Sequence, residues 1–118
     1  MNDIEDVLAA IKKEYPNIKA VITWEPNNEK KDEREIHLAI VSDDFKTTHK
    51  HFQKVKDIAY WTLRKKESWK VDVKPTILTL ENYLSDECDI GIHFGELYWG
   101  DKEYDPRIIY EKIYGRSR

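Results

Sequence analysis

The chain has 118 residues, of which 36% are charged and 40% hydrophobic, and its net charge is -3. This length predicts a single domain over residues 1–118, and the aromatic and aliphatic content excludes a disordered chain. Because no apolar run approaches the roughly 18 residues of a membrane span and no signal sequence is recognisable at the N-terminus, we expect a cytoplasmic protein without a membrane partner.

The first third of the chain predicts a helix followed by two strands. Apolar residues recur at helical spacing from Ile4 to Ile11, and Tyr15-Pro16 would end this helix. Strands are predicted over residues 18–24 and 35–42, and the polar segment between them suits a turn.

A long second helix is predicted to start at Ser42-Asp43-Asp44 and to end in the cluster Arg64-Lys65-Lys66, which favours the negative end of the helix dipole. Its buried face is expected to consist of Phe52, Val55, Ile58, Ala59 and Leu63. Residues 69–80 predict a third strand, and Pro75 should place that strand at a sheet edge or a bulge.

The last third of the chain predicts shorter elements. Short helical turns are expected over residues 82–95, and a short strand over residues 96–99. Asp105-Pro106 caps a last helix that Gly115 would close. Together these elements predict an α+β fold, a mixed sheet flanked by helices.

Basic and aromatic residues concentrate on the long helix and just after it. Residues 46–70 contain eight Lys or Arg residues and two acidic residues, and the chain contains four tryptophans and seven tyrosines. We predict a partner surface formed by Trp61, Trp69, Lys50, Lys54, Arg64 and Lys65, since aromatic residues often anchor interfaces. A solvated helix face is the alternative. Nucleic-acid binding is disfavoured, because no Gly-x-x-Gly loop of the KH type is present.

Glu35 and His37 lie two residues apart on a predicted strand, so their side chains should share one face of the sheet. The head of this strand is therefore a place where the chain could hold reactive side chains.

The order of these segments resembles the minimal nucleotidyltransferases over residues 4–99. The similar segments are Lys13-Glu14-Tyr15-Pro16-Asn17-Ile18, Trp24-Glu25-Pro26, Glu35-Ile36-His37-Leu38-Ala39-Ile40-Val41, Ser42-Asp43-Asp44-Phe45, Val71-Asp72-Val73 and Gly95-Glu96-Leu97-Tyr98. The resemblance implies that Trp24, Glu25 and Pro26 occupy the position of a nucleotide-binding Gly-Ser pair. It also implies that Glu35, His37 and Asp72 occupy the positions of three metal-binding carboxylates, which makes them the candidate catalytic and metal-binding residues. Oxygen ligands suit Mg²⁺, whereas a set that includes histidine suits zinc or manganese better.

Most of the family's working residues are replaced here. Glu25 brings negative charge to the phosphate position, and Pro26 removes an amide donor, so the resemblance implies a degenerate site without a cofactor. A rebuilt site that uses Mg²⁺ or Mn²⁺ for nucleotidyl transfer is the alternative. Small members of this family are often paired with helical HEPN-type toxins, so the resemblance implies an antitoxin-like, protein-binding role. A homodimer is another expected form.

A BolA-like, KH-related binding domain is the competing fold, because residues 37–45 are also similar to that family's strand and following helix. Four further positions are not expected to form a functional site. His49 and His51 cannot chelate one ion from a helix, since residues i and i+2 diverge. His93 and Cys88, the only cysteine, are expected in the core, and the lone cysteine excludes an internal disulfide.

Overall fold

A computed structural model describes residues 3–26, 34–46, 48–66 and 71–118. The helices within these residues are α1 (Asp3–Glu14), α2 (Thr48–Arg64), α3 (Leu80–Tyr83), α4 (Ile90–His93) and α5 (Pro106–Tyr114). The strands are β1 (Ala20–Trp24), β2 (Glu35–Val41), β3 (Asp72–Leu78) and β4 (Glu96–Gly100). Most of the predicted turn before Arg34, and Trp69, lie outside the described residues.

The strands form one mixed sheet in the order β3-β2-β1-β4. β1 pairs with β2 and β4 in antiparallel fashion, whereas β2 and β3 are parallel. Parallel neighbours need a long crossover, which α2 provides here. The predicted α+β class with a mixed sheet between helices is confirmed. The segment after β3 also contributes to the sheet, because its strand β4 pairs with β1 and forms the other edge.

Helices cover both faces of the sheet. Side chains alternate along β2, so Leu38 and Ile40 pack under α1 and α2, whereas Ala39 and Val41 face α3, α4 and α5. All four of these residues are fully buried. The continuous apolar run of β2 reflects this burial on two sides, which is typical of an interior strand.

The long helix begins later than its sequence predicts. The Ser42 hydroxyl accepts a hydrogen bond from the Asp44 amide at 3.1 Å, which caps a short 3₁₀ turn over Asp43–Phe45. α2 itself begins at Thr48 and ends at Arg64. The predicted helix start was therefore wrong, since the Ser42 side chain caps a separate turn.

Ion pairs link α1 to α2 and to Lys66, which lies two residues after the end of α2. Lys66 lies 2.6 Å from carboxylate oxygens of both Asp3 and Asp6, and Lys54 pairs with Glu14. The hydrogen bonds that the Lys66 ammonium group donates to Asp3 and Asp6 raise its pKa. The two helices are thus joined near both ends of α1, outside their apolar contact.

The C-terminal third covers the second sheet face, and its last helix has the predicted cap and stop. Asp105 accepts a hydrogen bond from the Arg107 amide at the start of α5, and Gly115 ends the helix with φ of 67°. His93 is fully buried and hydrogen-bonds to the Tyr83 carbonyl at 2.8 Å, which confirms its structural role. The Arg118 guanidinium donates to the Gly95 carbonyl at 2.6 Å, so the end of the chain is held against the turn before β4.

Gly95 is required by a close approach of that turn to β1. A Cβ atom at this position would lie 2.4 Å from the Thr23 carbonyl oxygen and 2.7 Å from Ile22. We expect Gly95→Ala to lower the free energy of unfolding by about 1–3 kcal/mol, the usual range for overpacking. Urea unfolding measures this loss. Gly115→Asn is the matched control, since a Cβ there meets nothing within 4 Å and asparagine tolerates the left-handed conformation. Equal stability of the two variants would contradict the packing argument.

Cys88 is 7% exposed and lies in the core beneath α4, as predicted. Burial raises the pKa of its thiol from 9.0 to about 11. The folded state therefore keeps the proton that the unfolded chain releases, and this contribution to stability is lost as the pH rises from 9.0 through about 11. We expect the wild type to lose more stability than Cys88→Ala over that range in urea unfolding. Parallel curves for the two proteins would contradict this assignment.

Candidate functional site

The three candidate catalytic residues lie on neighbouring strands and share one sheet face. Glu35 is directly opposite Asp72 in the parallel register of β2 and β3, and His37 is opposite Lys74. The His37 Nε2 atom lies 3.7 Å from the Glu35 carboxylate. The structure therefore brings Glu35 and His37 together and puts Asp72 on the adjoining strand.

The basic neighbour of Asp72 changes what this trio can do. The Lys74 ammonium lies 3.1 Å from the Asp72 carboxylate, and both side chains are about half exposed. An ammonium group at this distance competes with a cation for the carboxylate oxygens. Within the described residues, no group of three His, Cys, Asp or Glu side chains is arranged to hold a metal ion. The predicted metal-binding and catalytic roles of Glu35, His37 and Asp72 stay predictions.

Helix α4 packs against the predicted nucleotide-binding position. A Cβ atom at Gly91 would lie 3.2 Å from the Trp24 ring and from the Glu25 carbonyl oxygen. The Trp24 ring also meets the His37 ring edge-on, with ring centroids 5.6 Å apart. The Trp24 indole nitrogen is buried and lacks a hydrogen-bond partner among the described residues. Protein atoms therefore crowd the position where the resemblance implies a phosphate, next to Trp24, Glu25 and Pro26.

A groove separates α2 from the edge strand β3. Its volume is about 1080 Å³. The α2 side is formed by Phe52, Lys56, Tyr60, Leu63 and Arg64. The other side is formed by Val71, Asp72, Val73, Lys74 and Pro75, with Arg34 and Glu35 at the end. We call this feature the α2–β3 groove; its α2 wall combines aromatic and basic side chains.

Two adjacent aromatic residues of α2 are exposed; Tyr60 lines the α2–β3 groove, and Trp61 lies next to it on the outer side of the helix. Tyr60 is 55% exposed and Trp61 is 58% exposed, the highest values among the large apolar side chains of the described residues. Their rings contact each other edge-on, with centroids 5.2 Å apart. Exposure of two large apolar rings to water is energetically unfavourable. In many proteins such exposed aromatic residues anchor a binding partner.

The residues of the predicted partner surface are distributed around α2. Arg64 lines the α2–β3 groove, whereas the Lys54 ammonium binds Glu14 and lies 5.9 Å from the Tyr15 ring centroid. The hydrogen bond that the Lys54 ammonium donates to the Glu14 carboxylate raises the pKa of Lys54. At 100° per residue, Lys50 and Trp61 lie on the outer side of α2, and Lys65 lies toward α1. Lys50 and Lys65 are exposed, and Trp69 is outside the described residues.

Phe52, Lys56 and Tyr60 of the groove were not among the predicted site residues. Phe52 was expected in the core, but it is 39% exposed and lines the groove with Lys56 and Tyr60. Phe52, Lys56, Tyr60 and Arg64 follow one another at intervals of four on α2. This spacing is visible in the sequence and predicts a common helix side. That this side of α2 faces a sheet edge is not visible in the spacing, because it depends on the position of β3 in the sheet.

No family model matches this chain, and no curated protein and no solved structure matches it. Among the helices in the described part of the chain, none has the length and apolar character needed to cross a membrane.

The pairing of Asp72 with Lys74 generates a prediction about metal ions. We expect Zn²⁺ or Mn²⁺ to shift the thermal midpoint of the wild type and of the triple variant Glu35→Gln, His37→Gln, Asp72→Asn equally. An ion bound only to the folded wild type at 100 times its Kd would add about 2.7 kcal/mol of stability. Differential scanning fluorimetry measures the shift. A metal-dependent rise of the midpoint in the wild type alone would establish a metal site at this trio.

Proposed function

We propose that this protein is a non-catalytic protein-binding module whose working surface is the α2–β3 groove together with the adjoining aromatic pair Tyr60 and Trp61. The observation that carries this proposal is the exposure of this pair, of which Tyr60 lines the groove. A partner that covers these rings would remove large apolar surfaces from water, the main source of binding energy at interfaces.

The charge around the groove supports a protein partner with an acidic surface. Lys56 and Arg64 are exposed on the α2 wall, and Lys50 lies on the outer side of the same helix. None of the ion pairs among the described residues involves Lys56 or Arg64. Available basic groups accelerate encounter with an acidic partner and favour it over a basic one.

The degenerate nucleotidyltransferase interpretation is part of this proposal. It is supported by the packing of Gly91 against Trp24 and Glu25 and by the ion pair between Lys74 and Asp72. Both features oppose triphosphate and metal binding at the positions that the family uses. In the family that the sequence resembles, a helical HEPN-type toxin is a common partner, so an antitoxin-like role in the cytoplasm is the specific form of the proposal.

Site-specific photocrosslinking tests the working surface. A photoreactive phenylalanine analogue replaces Trp61 or, in a matched control, Ile108, which is 38% exposed on α5. We expect the Trp61 position to capture one defined protein in the native host, and the Ile108 position not to capture it. Once that partner is purified, Trp61→Ala should weaken the complex by about 2 kcal/mol, about thirtyfold in Kd. Isothermal titration calorimetry gives this value.

Two results would contradict the proposal. One is the absence of a defined crosslink at Trp61, or the same crosslinks from Ile108. The other is micromolar binding of a nucleoside triphosphate with Mg²⁺ or Mn²⁺ in calorimetry, which would favour an active nucleotidyltransferase. Loss of that binding in Glu35→Gln would then assign the activity to the predicted site.

A further inference from the structure

The free side of β3 has a specific pattern of backbone groups. The Asp72 amide donates to the Arg34 carbonyl at 2.6 Å, and the Leu78 carbonyl accepts from the Ser42 amide at 2.9 Å. In a parallel ladder, alternate residues direct both backbone groups to the same neighbour. Asp72, Lys74, Thr76 and Leu78 therefore face β2, whereas Val73, Pro75 and Ile77 direct their backbone groups away from the sheet.

Pro75 occupies one of these outward positions, as the sequence predicted for an edge strand. Because this position faces away from β2, the absence of an amide at Pro75 leaves the hydrogen bonds between β3 and β2 intact. Among the described residues, no strand pairs with this side of β3. At the groove, the edge therefore offers the amide of Val73 and the carbonyls of Val73 and Pro75. An added strand needs these backbone groups for pairing. Because Pro75 has no amide to donate, the paired stretch is short.

The α2 wall runs beside this edge with a regular row of side chains. Lys56, Tyr60 and Arg64 are spaced by four residues, so Lys56 and Arg64 are about 12 Å apart along the helix axis. Residues i and i+4 of an extended chain are about 13 Å apart and point to the same side. An extended segment can therefore put a carboxylate at each basic group and an apolar side chain between them at Tyr60.

The acidic residues of the groove do not oppose this arrangement. Glu35 and Asp72 lie on the sheet face away from α2, since Val73 packs in the core under α2. Each has a basic neighbour of its own, His37 at 3.7 Å and Lys74 at 3.1 Å. A second copy of this chain is a poorer occupant, because pairing two β3 edges would bring like charges of two α2 helices together and align two prolines.

We propose that the α2–β3 groove binds an extended acidic segment of a protein partner, which adds as a short strand beside β3. The segment has an acidic residue, an apolar residue two positions later and a second acidic residue two positions after that. Its backbone pairs with Val73, and its carboxylates contact Lys56 and Arg64. This inference rests on the proposed function and specifies how the partner is held.

Selection from a peptide library tests the recognition rule. Random linear peptides about twelve residues long, enough to span the edge, are displayed on phage and selected on the full chain. We expect enrichment of acidic-x-apolar-x-acidic sequences. Selected peptides are then synthesised with and without N-methylation of single backbone amides, which removes strand pairing and leaves the side chains unchanged. Methylation at the residue opposite Val73 should weaken binding about tenfold, measured by fluorescence anisotropy.

Two further measurements connect the peptide to named atoms. The Val73 amide should become protected from hydrogen exchange in NMR spectra when a selected peptide is added, because it gains a hydrogen bond. The double variant Lys56→Ala, Arg64→Ala should bind about tenfold more weakly, and the difference should shrink in high salt. Lys112→Ala, Arg116→Ala is the matched control, since it removes the same charge at exposed positions in and just after α5, which packs on the other face of the sheet.

The outcomes separate this inference from the proposed function. Failure to enrich any peptide, enrichment of helical spacing or basic sequences, or an unprotected Val73 amide in the bound state would overturn strand addition. If Trp61→Ala still weakens a crosslinked protein partner in that case, the protein-binding proposal stands with a different mode of docking. If neither a defined crosslink nor an enriched peptide is obtained, both the protein-binding proposal and strand addition are overturned.

Discussion

The parallel pairing of β2 with β3 is the constraint on which the other features depend. Two parallel strands cannot be joined by a tight turn, so the chain must cross the sheet between them. α2 makes this crossing and covers one face with Val55, Ala59 and Leu63. Because α2 covers the face and not the edge, no strand within the described residues pairs with the outer side of β3. The groove between them is thus a consequence of the connection.

The same pairing determines the surroundings of the polar end of the sheet. Register puts Glu35 opposite Asp72, and Lys74 then lies next to Asp72 on the same face. On the neighbouring strand, Trp24 lies opposite His37 and under Gly91 of α4. A basic group thus lies beside Asp72, and the Trp24 ring lies beside His37. This arrangement suits a stable sheet end better than a site for two cations and a triphosphate, which need open, oxygen-rich surroundings.

Much of the element order is readable from the residues because the signals are local. The apolar spacing of α1, the cap at Asp105, the glycine after α5 and the edge position of Pro75 all follow from short-range chemistry. The start of α2 was not predictable in this way. Ser42 caps whichever turn follows it, and the choice between a 3₁₀ turn and a long helix depends on Phe45, which must be buried between Tyr15 and the sheet.

The candidate site was predictable only in part. The sequence by itself determined that Glu35 and His37 share a face, that α2 is rich in basic and aromatic residues, and that β3 is an edge strand, because strand alternation, composition and proline chemistry need no distant partner. Only the tertiary structure decided that Lys74 reaches Asp72, that Phe52 is exposed and that Lys56, Tyr60 and Arg64 line an open strand edge. Those relations depend on strand order and on the direction in which α2 crosses, which long-range packing sets.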